Sequence, residues 1–375
     1  MPVHQGGKIV ADDPVDPGVG KAAPQSVRER QGVQDVAKGT RLDDKNPGRG
    51  HRRIVAGGGG RGNSRGILAP MRPPRLAWYP PGMSDLVYLD GEFVPQASAT
   101  VPIFDHGFLY GDGVFEGVRV YDGRVFRLDE HTDRLLYSAR ALGFPMAGLD
   151  RATVNAAILE TCRRNVHANG YIRVNLTRGT GLGLDPKHIQ PVPRLMIATR
   201  QLALYPEASY RDGLTMVTCS TRVPSPDSID PRIKCTGKYI NNILAKMEAN
   251  RVGAGEGLML NPRGHVAEAT GDNLFLIRAG RIATPPPSAG CLKGITRQVA
   301  MELAESLGMP VVETDLTLYD AYTADECFLT GTAAEVIPAV SLDDRAIGEG
   351  VPGPVTRRLI DAFRAHTRSS GTPVD

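Results

Sequence analysis

From Leu86 onward the chain alternates short apolar runs with turn residues and with stretches of helical period. Leu86-Val87-Tyr88-Leu89, then Asp90-Gly91, then Phe93-Val94 predict a hairpin, because Asp-Gly between two apolar runs suits a tight two-residue turn. Val118 to Tyr121, Asp122-Gly123 and Val125-Phe126 predict a second hairpin. Asp129 then reads as the cap of a helix whose apolar stripe is Leu135, Leu136, Ala139 and Leu142, ended by Gly143. A further helix is predicted over 151–166, and strands over 171–177 and around 195–198.

The second half repeats the alternation. A strand over 215–218 leads through a loop carrying Pro224, Pro226 and Pro231 to Lys234. Beyond it Ile240, Ile243, Leu244 and Met247 recur at i, i+3, i+4 and i+7 up to Gly253, which predicts a helix packed along that face. Leu258-Met259-Leu260, the turn Asn261-Pro262-Arg263-Gly264 and 265–268 predict a hairpin that puts Glu268 at a strand end; 273–277 and 282–284 predict another. Thr296 opens a helix with apolar Val299, Leu303 and Leu307, stopped by Gly308.

These elements predict an α+β protein with a small domain over 83–203, a polar linker over 204–211 containing Pro206, a larger domain over 212–366 and a disordered tail over 367–375. Residues 1–82 are rich in Gly, Arg, Asp and Pro, include Gly57 to Gly60 and lack apolar periodicity, so disorder is expected there and Met83 is a candidate start. The alternative is a basic tail for a partner.

At 375 residues the chain has length for two cores, and its formal charge of +3 is small. Much of the excess arginine lies near the N-terminus, so the body carries no basic footprint for nucleic acid. Cys162, Cys219, Cys235, Cys291 and Cys327 are scattered and odd in number, which argues against a disulfide framework and structural zinc and for a reducing cytoplasm. With no signal-peptide core and no 18-residue apolar run, a membrane span is not expected.

The chemistry lies around Lys234. Ile233-Lys234-Cys235-Thr236-Gly237-Lys238-Tyr239 is followed by Glu268 and by the turns Gly294-Ile295-Thr296-Arg297 and Thr330-Gly331-Thr332-Ala333-Ala334. A loop lysine is ordinarily solvated and a strand-end glutamate ordinarily exposed. Together, however, they provide an amine for an aldehyde, an acid for a ring nitrogen and helix-start or turn N–H groups for a phosphate, which is the donor set pyridoxal 5'-phosphate needs. Arg134, on the earlier helix, supplies a guanidinium fork for the phosphate.

Phe115-Glu116-Gly117-Val118-Arg119, Tyr171-Ile172-Arg173, Leu292 to Arg297 and Phe328 to Glu335 resemble, in order, the motifs of class IV aminotransferases, and most resemble branched-chain amino-acid aminotransferases. The similarity runs from Leu86 to about Phe363. It implies fold type IV: a small α+β domain, a larger domain with a barrel-like β core, and the cofactor between them. It further implies Lys234 as the lysine that bonds the cofactor, Glu268 as partner of the ring nitrogen, Tyr239 as donor to the phenolic oxygen, and Arg134, Ile295, Thr296 and Thr332 as phosphate holders. Tyr110, Phe115, Arg119, Tyr171, Arg173, Thr332 and Ala333 would line the substrate chamber. The implied reaction moves the amino group of leucine, isoleucine or valine to 2-oxoglutarate by double displacement, in a homodimer or higher homo-oligomer.

Lys238 stands where the family usually has a neutral polar residue, so its charge is expected to alter the basicity of Lys234. Lys293 replaces a usual proline. A D-amino-acid aminotransferase resembles a pattern with Arg-x-His after the Tyr171 strand, where this chain has Gly181-Leu182-Gly183-Leu184-Asp185-Pro186. An aminodeoxychorismate lyase usually lacks the Phe115 to Arg119 segment, and a non-catalytic cofactor-binding relative would lack Lys234 or Glu268. No G-x-G-x-x-G joins a strand to a helix as nicotinamide binding requires.

Overall fold

Asp90 and Asp122 hold left-handed φ angles of 52° and 47°, and the glycines after them 102° and 72°, the geometry of hairpin turns that match strand twist. The computed structural model describes residues 85–165, 168–190, 192–201 and 205–375. The expectations of disorder over 1–82 and of a start at Met83 lie outside these residues.

In the first half the elements are β1 (Leu86–Leu89), β2 (Glu92–Pro95), α1 (His106–Tyr110), β3 (Gly113–Tyr121), β4 (Arg124–Val125), α2 (Leu128–Ala141), α3 (Arg151–Asn165), β5 (Gly170–Thr177), β6 (Arg194–Arg200) and α4 (Glu207–Asp212). There follow β7 (Leu214–Thr218), α5 (Ile240–Arg251), β8 (Glu256–Leu260), β9 (Val266–Ala269), β10 (Asn273–Arg278), β11 (Arg281–Thr284), α6 (Ile295–Ser306), β12 (Val311–Glu313), α7 (Leu318–Tyr322), β13 (Glu326–Gly331), β14 (Glu335–Leu342), β15 (Arg345–Ala346), α8 (Pro354–Ser369) and β16 (Thr372–Pro373). A first, antiparallel sheet runs β16-β4-β3-β5-β6-β1-β2, and a second, mixed sheet runs β12-β11-β10-β13-β14-β7-β8-β9. The second curls into a half-barrel core, and β9 leads into β10 through a tight turn in which Ala269 N–H donates to Asp272 O at 2.8 Å.

α2 and α3 cover the first sheet through Leu135, Leu136, Val154 and Ile158. Leu258, Leu274, Leu329 and Ile337 fill the inside of the second sheet, and α6 and α8 close its outer face on Phe275 and Phe328 through Val299 and Phe363. Among the described residues no helix is long and apolar enough to cross a membrane.

Four expectations are corrected. Asp129 does not cap α2: the helix begins one residue earlier, behind Arg127 at φ 50°, and Asp129 accepts from Asn155 instead. The apolar stripe of α5 faces outward, with Ile240 59%, Ile243 57%, Leu244 48% and Met247 55% exposed. The inward face is Asn242, Ala245 and Ala249, small or hydrogen-bonded groups that let the helix lie close on β8. The linker over 204–211 holds α4, because Tyr205 and Tyr210 pack on the second core and the Tyr205 hydroxyl donates to Glu256 at 2.9 Å. The tail over 367–375 is ordered: α8 runs to Ser369, β16 pairs with β4, and Val374 is buried.

One segment joins the two sheets at the lysine. Cys235 bridges Val114 of β3, Phe115 N–H donates to Lys234 O at 3.1 Å, and Thr236 N–H donates to Gly113 O at 2.8 Å. Lys234 is therefore held against β3 by an isolated bridge, a few residues before α5 begins.

Candidate active site

The Lys234 backbone is clamped on both sides, since its N–H also donates to Ser138 Oγ of α2 at 3.1 Å. Its amine donates to the Tyr239 hydroxyl at 2.7 Å and stands 4.5 Å from the Phe115 ring centre. The residue is half-buried, yet this amine is enclosed by the two rings and by Arg134 and Arg173. Desolvation first, then the charges of Arg134 and Arg173, bring it down to about 7, against the opposing pull of Glu116 and Glu268. An amine poised there is available in its neutral, nucleophilic form. Burial, with the Glu268 charge next, pushes the Tyr239 phenol up, so it stays a protonated donor.

Glu268 is 7% exposed on β9 and accepts from Leu292 N–H at 2.8 Å. Burial raises its carboxyl; Lys238, the Leu292 bond and Lys234 draw it back down.

At the other end of the pocket lies the start of α6. Its N-cap, Gly294, offers no side chain to the first-turn N–H groups, leaving them and the helix dipole for an anion. A Cβ on Gly294 would overlap Asn273 Oδ1, which explains the glycine. Arg134 borders the same place but is already bound: Nε and Nη2 donate to Glu116 at 2.6 and 2.9 Å, and Nη1 to Lys293 O at 2.8 Å. Of the five guanidinium N–H bonds, one on each terminal nitrogen remains, so the full fork is not free for a further anion. The exposed side chain of Lys293 takes no part in this bond.

One pocket is thus lined by Arg134, Lys234, Tyr239, Glu268, Gly294, Ile295, Thr296 and Thr332, together with Asn242, Asp272 and Thr330. Two buried atoms there, Asp272 Oδ2 and Thr330 Oγ1, have no partner within the protein. Burial and then the nearby Glu256 push the Asp272 carboxyl up to about 8. Orphaned donors and acceptors, an enclosed amine, a buried acid and an uncapped helix start fit pyridoxal phosphate.

The residues expected at the substrate chamber divide. Phe115 is buried with Arg173 stacked on its ring at 3.7 Å, and Tyr239 meets it edge-on at 4.8 Å. Arg173 Nε donates to Asn175 at 3.1 Å, and the Tyr171 hydroxyl lies against Gly117, where a Cβ would collide with it. Arg119 instead pairs with Glu335 at 3.5 Å, on the strand after the Thr332-Ala333 turn. Tyr110 stands apart, 41% exposed, its hydroxyl accepting from Gly183 N–H at 3.1 Å.

Sequence reasoning missed the residues that hold the others in place. Glu116, 1% exposed, binds Arg134 and His131 Nδ1, the latter at 2.7 Å; burial raises its carboxyl, but Arg134 and His131 outweigh this and hold it far below the carboxylate range. Its place inside the Phe-Glu-Gly motif was the only signal. Ser138, Asn175 and Asn242 carried none, being polar positions on elements read for their apolar ones.

An amine, an acid and an anion-binding helix start around a lysine strung between two sheets define a lysine-centred enzyme. The model of the family "Amino-transferase class IV" matches residues 113–342. A putative branched-chain-amino-acid aminotransferase of Methanocaldococcus jannaschii is 44% identical over 279 residues, spanning 74% of this chain and 95% of the relative. The crystal structure of the Escherichia coli branched-chain amino acid aminotransferase superposes with a TM-score of 0.74 at 32% identity, over 78% of this chain and 100% of that one. That of the branched-chain aminotransferase from the thermophilic archaeon Thermoproteus uzoniensis with norvaline gives 0.71 at 34% identity, over 77% and 97%. The chain belongs to the class IV aminotransferases.

Proposed function

We propose that this protein transfers the amino group of branched-chain L-amino acids to 2-oxoglutarate, giving branched 2-oxo acids and L-glutamate, with pyridoxal 5'-phosphate at the Lys234 pocket. The donor leaves as its oxo acid before the acceptor enters. The observation that carries this reading is the Lys234 amine, brought down to about 7 within the same pocket as Glu268 and the uncapped start of α6. The similarity to branched-chain enzymes supports the substrate class.

When bound, the cofactor supplies an aldehyde for amino groups and a ring that withdraws electrons from the substrate α-carbon. Lys234 holds the cofactor and moves the proton at that carbon. Glu268 holds a proton at the ring nitrogen, and Tyr239 donates to the phenolic oxygen. The N–H groups of Ile295 and Thr296, the Thr332 hydroxyl and the free edge of Arg134 bind the phosphate. Phe115 and Tyr171 offer apolar walls to leucine or valine, Arg173 a cation to the side-chain carboxylate of glutamate, and the Thr332-Ala333 backbone N–H groups a seat for the α-carboxylate. Arg119 orients that turn through Glu335.

In this reading the site lies between a small domain from 83–203 and a large one from 212 onward, in a cytoplasmic homodimer. The outward apolar face of α5, with Phe104 just before α1 and Phe108 within it, 54% and 69% exposed, supports a second copy as partner. A panel of L-leucine, L-isoleucine, L-valine, D-alanine and aminodeoxychorismate, with 2-oxoglutarate as acceptor for the amino acids, tests the function. Glutamate should appear with the three branched L-amino acids; turnover only with D-alanine or only with aminodeoxychorismate would overturn it.

A further inference from the structure

Lys238 is 7% exposed, a rare state for a lysine without a partner. It sits in the 3-10 turn Gly237–Tyr239, and its ammonium reaches back seven residues to donate to Pro231 O at 2.8 Å. The bond closes a loop with Lys234 inside it. Asn242 lies one helical turn beyond Lys238, is equally buried, and donates to Thr270 O at 2.9 Å, on the chain just after Glu268. Lys238 does not border the pocket, whereas Lys234, Asn242 and Glu268 do. It therefore stands behind the site.

The groups that face Glu268 are Lys234, Lys238 and Tyr239 from this loop and turn, Asn242 from α5, Asp272 after β9, and Cys291 with Leu292 N–H before α6. Burial opposes ionisation of Glu268, and the Lys238 charge is the largest influence favouring it; the Glu268 charge in turn pushes up the Asp272 carboxyl. A carboxylate buried without such a cation takes up a proton.

We propose that Lys238 is a positioning residue with two effects: it ties the loop that presents Lys234, and it supplies from behind the pocket the fixed positive charge that keeps Glu268 a carboxylate toward the ring nitrogen. This rests on the functional reading above, in which Glu268 holds that proton. Lys238 differs from Lys234 in that its ammonium is bound to the Pro231 carbonyl and the residue does not line the pocket.

The test compares the parent with Lys238→Met, Lys238→Gln and Lys238→Arg. In unliganded protein, amide hydrogen exchange over 231–239 should quicken about tenfold in Lys238→Met and stay near parental in Lys238→Gln and Lys238→Arg, which keep a donor for Pro231 O. In protein loaded with pyridoxal phosphate, the pH midpoint of the bound cofactor's visible absorption should move by about one unit in Lys238→Met and Lys238→Gln and not in Lys238→Arg. Adding either neutral substitution to Glu268→Gln should move it no further. Parental exchange in Lys238→Met would overturn the loop tie. A parental midpoint in a loaded neutral variant, or an equal shift in the Glu268→Gln background, would overturn the charge. If Lys238→Met does not fold, Lys238→Gln carries the charge comparison and the failure itself supports the tie when Lys238→Gln folds. A parent that forms no cofactor band removes the functional reading instead, and the exchange comparison still decides the tie.

Discussion

Arg134 and Glu116 form a bidentate pair inside the first sheet's helix packing, at 2.6 and 2.9 Å, and the arginine edge left over borders the anion end of the pocket. With side chains 12% and 1% exposed, the pair has little solvent to fall back on.

Glu116→Ala should therefore destabilise the unliganded protein by about 3 to 5 kcal/mol, the cost of leaving a buried charge without its partner. Denaturant melts measure this. Cofactor affinity should fall as well, because Arg134 loses its orientation.

Arg173→Ala should weaken use of glutamate and 2-oxoglutarate by the equivalent of about 1.5 to 3 kcal/mol, the scale of a hydrogen bond to a charged group. Leucine half-reactions should change much less, since Phe115 stays in place. Single-turnover rates with each amino acid separate the two, and equal losses would contradict the role.

The Lys234 amine carries a pH signature. Its value in the folded protein, about 7, lies below that of the unfolded chain at about 10.4. Between the two the unfolded chain binds more protons, so stability of the unliganded protein should rise with pH across that window. Thermal melts at intervals from about pH 7 to about pH 10 should show the rise, and Lys234→Met should flatten it. Capture of pyridoxal phosphate should quicken through the neutral range for the same reason, because only the neutral amine attacks an aldehyde.

Ile243→Asp together with Met247→Asp should abolish self-association while leaving secondary structure intact, as both side chains point away from the protomer core. Sedimentation measures the outcome; unchanged mass would show that another face joins the copies.

The helix α5 shows what the sequence reveals and what it does not. Its existence and limits were legible, because the apolar period and Gly253 are local signals. Which face would be inward was not: period reports that a stripe needs cover, not whether the chain's own sheet or another molecule covers it. Hairpins at Asp90-Gly91 and Asp122-Gly123 were readable for the same local reason. The parallel pairing of β14 with β7 and the antiparallel pairing of β16 with β4 depend on contacts far apart in sequence and left no periodic trace. At the site, Lys234, Glu268 and Thr296 were found by chemical type and order. Glu116 holds Arg134, Asn175 holds Arg173 and Lys238 ties the loop that carries Lys234, and only side-chain geometry exposes those contacts.

The central claim is that Lys234 is the lysine that bonds pyridoxal phosphate. Reducing the loaded protein with borohydride and mapping its peptides locates the cofactor directly. The label should fall on Lys234 alone and vanish in Lys234→Ala; a label on Lys238 or Lys246 would contradict the account.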